Sequence, residues 1–138
     1  MSTSKVKYLG NLRTQNEHLK SGNTYITDAP TDNQGKGEAF SPTDTVATGL
    51  ANCMITVMGI KARDLNVNMD GTTALVTKTM ASNPRRISKI EVVLDFPAGI
   101  DPRSRKILEN TGRTCPVMHS LHPEIETIIY FNWADKKP

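Results

Sequence analysis

Two cysteines, Cys53 and Cys115, are the side chains of this sequence whose chemistry can extend beyond packing. A thiol acts as a nucleophile only once ionised, and two thiols can also cycle to a disulfide, so each cysteine is a hydrophobe, a metal ligand or a redox reagent. Cys53 falls on the apolar stripe of a long predicted helix, where a small core residue is the simplest reading. Cys115 precedes Pro116 at a second predicted helix start, where unpaired backbone N–H groups and the helix dipole favour a thiolate. A packing or capping cysteine is the alternative there. In a reducing compartment a pair of cysteines is seldom a structural staple. A zinc face can be drawn from Cys115, His119 and His122, but no fourth ligand is evident and the histidines also suit a helix end. His18, beside a turn, reads as a surface residue.

The elements that must position these thiols are marked by periodicity. Lys5 to Asp28 alternates polar and apolar residues around Gly10-Asn11 and Ser21-Gly22-Asn23, which predicts a strand meander. Ala29 to Glu38 is polar and aperiodic, a surface loop. Ser41 can cap a helix, Pro42 suits its first position, and Asp44 completes a capping-box pattern. The helix is predicted from Pro42 to about Asp64. Val46, Leu50, Cys53, Val57 and Ile60 form one stripe on it, and Ala47, Ala51, Met54 and Met58 an adjacent one. A helix apolar over most of its circumference should be enclosed on several sides. Leu65 to Met80 and Ile90 to Phe96 read as one long antiparallel hairpin. Asp101-Pro102 starts a helix that Gly112 ends, Pro116 opens a shorter one, and Glu124 to Trp133 is a last strand before a tail, Ala134 to Pro138.

A chain of 138 residues suits one domain, 1–138, with its core in about 5–133. Its 37% apolar content is low for a self-sufficient monomer, so a partner subunit is expected to supply burial. A net charge of +3, with seven aromatic residues and no basic run, argues against nucleic-acid binding. The N-terminus lacks the apolar run of a secretory signal, and Thr45 to Ile60 is too short and polar for a membrane span, so a cytoplasmic location is expected. No Ser/His/Asp grouping, phosphate-cradling glycine loop or carboxylate dyad stands out.

From about Lys5 to Trp133 the chain resembles the OsmC/Ohr family of peroxide-reducing proteins. The resemblance rests on Phe40-Ser41-Pro42-Thr43-Asp44, on Leu50-Ala51-Asn52-Cys53-Met54, and on Thr114-Cys115-Pro116-Val117. It implies an α+β, two-layer fold with a long central helix wrapped by antiparallel sheets, in an intertwined homodimer with active sites at the subunit interface. It also implies that Cys53 attacks the peroxide O–O bond and becomes a sulfenic acid, which Cys115 condenses to a disulfide. A dithiol such as a lipoyl group then restores the thiols, with no metal or bound cofactor. A non-catalytic thiol sensor or small-ligand binder of the same fold is the alternative.

Cys53 is about three turns into its helix, beyond the reach of the terminal dipole, so a cation must stabilise its thiolate. In the family an early-strand Arg does this, and Arg13 is the matching position. Ohr-type members hold that Arg with a Glu directly after the helix-entry Pro. Here Thr43 occupies that place, with Glu38 and Asp44 the nearest replacements, which puts the chain in a broader OsmC-like branch. Leu50, Met54, Val57 and Met58 around Cys53 predict an apolar lining and a preference for organic hydroperoxides over hydrogen peroxide.

Overall fold

The computed structural model describes residues 1–135. The chain forms two compact units, 1–46 and the remainder from Ala47.

In the first unit, β1 (Ser4–Gly10), β2 (Arg13–His18) and β3 (Thr24–Asp28) make an antiparallel meander in that order. Asn11 and Leu12 form the first turn, both at positive φ. The β2–β3 register sets Arg13 directly opposite Asp28. The following loop contains one short 3-10 turn, Thr31–Asn33, and is tied back by Asp28 N–H donating to Phe40 O at 2.9 Å. Large apolar side chains of this unit stay exposed, among them Val6, Tyr8, Tyr25, Ile26 and Phe40, while its buried residues are Thr27, Asp28 and Ser41. A three-stranded sheet without a covered apolar face lacks the burial that independent stability requires.

Helix α1 (Pro42–Leu65) opens with the capping box read from the sequence. Asp44 N–H donates to Ser41 Oγ at 3.0 Å, and Ser41 N–H donates to Asp44 Oδ2 at 2.9 Å. Two of the backbone donors at the start of the helix are satisfied by this exchange.

The second unit carries the core. β4 (Thr73–Ala81) and β5 (Arg86–Phe96) form the expected hairpin, α2 (Pro102–Gly112) and α3 (Pro116–Ser120) follow, and β6 (Glu126–Trp133) completes the sheet. Asp101 caps α2 by accepting Ser104 N–H at 3.2 Å. The inward side chains Ile90, Val92, Leu94 and Phe96 of β5 share one cluster with Leu50, Met54 and Met58 of α1, with Leu108 of α2 and with Cys115. Trp133 stacks on Phe96 with ring centroids 3.9 Å apart, and its indole N–H donates to Glu109 Oε2 at 2.7 Å. That bond ties α2 to β6.

The structure corrects three expectations. β6 pairs with β5 in parallel, so the second sheet is mixed rather than antiparallel. The two intervening helices form the crossover that a parallel connection needs. The helix is not enclosed on several sides by the described residues of the chain either. Its buried residues are Ala47, Leu50, Ala51, Met54, Met58 and Ala62, whereas Val46 and Ile60 are exposed and Cys53 and Val57 half-buried. One face packs on the sheet, and the expected first stripe straddles its border. Finally, α1 is 24 residues long and apolar enough to cross a membrane by length and composition alone, an 18-residue window within it having mean hydropathy 1.3. A third of that window is buried, on the face that packs against β5. Of the predicted tail, Lys136, Lys137 and Pro138 lie outside the described residues.

Candidate functional site

The second unit brings the two thiols together. Thr114 N–H closes a tight turn on Thr111 O at 3.1 Å after α2, and the chain then enters α3 with Cys115 as its N-cap. The Cys115 sulfur accepts the Met118 N–H at 3.4 Å and is fully buried. Burial, and then the contact with the Cys53 thiol, push the Cys115 thiol up from its ordinary value, while the Met118 N–H opposes them. The cap geometry read from the sequence is present, but its expected consequence is reversed. A helix of five residues cannot offset the loss of water around the sulfur. Both cysteines are free thiols, and they differ in access: Cys53 is half-buried and Cys115 closed to solvent. The pair therefore joins a half-buried cysteine to a buried one whose thiol keeps its proton at neutral pH.

The apolar residues expected to line the site divide in two. Leu50, Met54 and Met58 are fully buried members of the core, and only Val57 is half-buried beside them. Packing is what the first three do here. Helical spacing gives the same pattern for a core face as for a pocket wall, so the sequence could not separate them.

In the first unit Arg13 is held by two carboxylates. Its Nη2 donates to Glu38 Oε1 and, at 3.4 Å, to Asp28 Oδ2. Of Glu38, Thr43 and Asp44, Glu38 is the one that pairs with Arg13 here. Asp44 is engaged in the helix cap, and Thr43 lies with its hydroxyl 3.2 Å from Ser41 Oγ. Asp28 was not among the residues singled out in the sequence. It is fully buried, and the Glu38 N–H donates to its Oδ2 at 3.0 Å. That N–H first, and then Arg13, hold the Asp28 carboxyl below the usual range against the opposing effect of burial. The same contacts raise Arg13, Asp28 first and Glu38 second. The available signal was register: a turn at Ser21-Gly22-Asn23 places Arg13 and Asp28 across from each other on adjacent strands.

The zinc face is not assembled. Among the described residues no group of three or more His, Cys, Asp or Glu is placed to hold a metal ion. His122 Nδ1 instead accepts the Glu124 N–H at 3.0 Å. His18 pairs with Ser21 Oγ at 2.7 Å on the exposed turn.

An α+β chain with one thiol on a long core helix and a second capping a short helix against it defines a dithiol protein built on a helix-and-sheet core. The family model for the OsmC-like protein matches residues 35–129, and the chain belongs to that family. It is similar to a Psychrobacter arcticus 273-4 protein named for osmotic stress induction and a detoxification response, with 55% identity, 96% of each chain covered and a TM-score of 0.92. The fold is shared with an organic hydroperoxide resistance protein OsmC of Legionella pneumophila, at 16% identity and TM-score 0.69, over 96% of this chain and 98% of that one. An organic hydroperoxide resistance protein of Elizabethkingia anophelis has the fold at 13% identity and TM-score 0.74, over 97% and 98%. A comparison with curated proteins gives no match.

Proposed function

We propose that the protein is a thiol-dependent peroxidase for organic hydroperoxides, acting in the cytoplasm as a homodimer. The observation that carries this reading is the packing of Cys53 against the core cluster that holds Cys115, two free thiols of unequal access. The Cys53 thiolate attacks the terminal oxygen of ROOH, the O–O bond breaks, and the alkoxide leaves as ROH after taking a proton. Cys53 is then a sulfenic acid. The Cys115 sulfur attacks it, a disulfide forms, and water leaves with the Cys115 proton. A small dithiol such as a lipoyl group reduces that disulfide by exchange and is itself oxidised to its own disulfide. No metal or bound cofactor enters these steps.

Arg13 supplies the positive charge for the Cys53 thiolate in this reading, with Glu38 and Asp28 holding the guanidinium. Naming of relatives for hydroperoxide resistance supports the substrate class. The exposed apolar side chains of the first sheet and of α1 support a second copy of the chain as their cover. Peroxide consumption with cumene hydroperoxide and dihydrolipoamide is the test. Sustained turnover, lost in Cys53→Ser, is expected. Consumption of about one equivalent followed by arrest would instead identify a thiol sensor.

A further inference from the structure

We propose that Gly112 is a positioning residue for the disulfide-forming step: its missing side chain lets the end of α2 seat on Met54 and Met58 of α1, and this seating carries Cys115 to Cys53. The inference rests on the peroxidase reading above. Gly112 is buried at the last position of α2. A β-carbon there would stand 2.8 Å from Met58 Sδ, 3.2 Å from Met58 Cγ and 3.6 Å from Met54 Cε. The first two distances require either the Met58 side chain or the end of α2 to shift, and Met58 is fully buried in the core, where it has little room to give. The two glycines of α1, Gly49 and Gly59, would meet nothing within 4 Å. Nor does backbone conformation call for glycine at 112, which is not among the positive-φ glycines. What remains is close approach of two helices.

The place of that approach matters. Met54 directly follows Cys53, Met58 lies one turn further on, and Gly112 is three residues before Cys115. Between them the chain has little slack: Arg113 N–H donates to Glu109 O at 3.2 Å and Thr114 N–H to Thr111 O at 3.1 Å. A displacement of the end of α2 is therefore passed to the sulfur of Cys115. Disulfide formation tolerates little displacement, since the sulfurs must reach about 2.05 Å with the α-carbons about 4.4–6.8 Å apart. A misplacement of about 1 Å can cost a reacting pair about 100-fold. The first step, attack of Cys53 on peroxide, does not involve Cys115. A slow second step leaves the sulfenic acid exposed to another peroxide, which oxidises it to the sulfinic acid and leaves as the alcohol.

The test follows Gly112→Ala through single turnover with cumene hydroperoxide, with circular dichroism to verify folding. Sulfenic acid formation within about twofold of wild type, disulfide formation slowed by about tenfold or more, and sulfinic acid accumulating under excess peroxide are expected. Met58→Ala removes the two nearest atoms that the new β-carbon meets, so the double variant should form the disulfide faster than Gly112→Ala alone. Disulfide formation as fast as wild type in folded Gly112→Ala, or no recovery in the double variant, overturns the proposal. A glutathione redox buffer reads the approach of the thiols without peroxide. A disulfide disfavoured there by Gly112→Ala supports the positioning role even if peroxide turnover fails, and an unchanged equilibrium counts against it.

Discussion

The contact between Glu109 and Trp133 holds α2, and so the segment leading to Cys115, onto the second sheet, and its removal has a predictable cost. Trp133 Nε1 donates to Glu109 Oε2 at 2.7 Å while Phe96 stacks on one side of the indole. Arg105 lies 5.8 Å from the ring centroid. A hydrogen bond to a charged acceptor is worth about 1.5–3 kcal/mol net, and half-burial of Trp133 lets water replace part of it, so Glu109→Ala should cost about 1.5 kcal/mol. For a chain of this length that is a fall in Tm of about 4–8 °C. Glu109→Gln keeps an acceptor and should lose less. Trp133 is the sole tryptophan, so urea unfolding followed by its emission reports on this contact directly. The alanine variant should unfold at lower urea with an unchanged slope. A Tm within about 1 °C of wild type would refute the assigned energy.

Other perturbations address the cap, the thiol and the arginine. Ser41→Ala removes the N-cap hydroxyl that accepts the Asp44 N–H and should cost about 0.5–2 kcal/mol by urea titration, leaving the start of α1 less protected from hydrogen exchange. Because burial, and then Cys53, raise the Cys115 pKa, the folded state holds that proton more tightly than the unfolded chain. The associated stability is fully present below about pH 8.5, the unfolded thiol value, and is lost as pH rises through the folded value. The reduced protein should thus show a falling Tm above that pH, and Cys115→Ser should flatten the fall. In the proposed peroxidase reading, Arg13→Ala should slow turnover of cumene hydroperoxide and Asp28→Asn should slow it by less; unchanged turnover in Arg13→Ala would remove Arg13 from the mechanism.

Local signals were legible and tertiary ones were not. The Ser41-Pro42-Asp44 entry, the length of α1 and the Asp101-Pro102 start depend on neighbours within one turn, and all three form. Pairing of β6 beside β5 depends on where a helical crossover returns the chain, which periodicity does not encode. The cysteines were legible as a pair through their flanking residues. The direction of the Cys115 shift was not, because a local cap favours the thiolate and only the packed core around it disfavours it. Asp28 escaped notice for a related reason: a buried carboxylate looks like any strand-end Asp until its register partner is known.

The most direct measurement on the central claim is intact mass with free-thiol counting after one equivalent of cumene hydroperoxide is added to the reduced protein. A chain about 2 Da lighter, with neither thiol titratable and both returned by dihydrolipoamide, is the predicted result. Two thiols still free, or a stable gain of oxygen on Cys53 with Cys115 untouched, would contradict it.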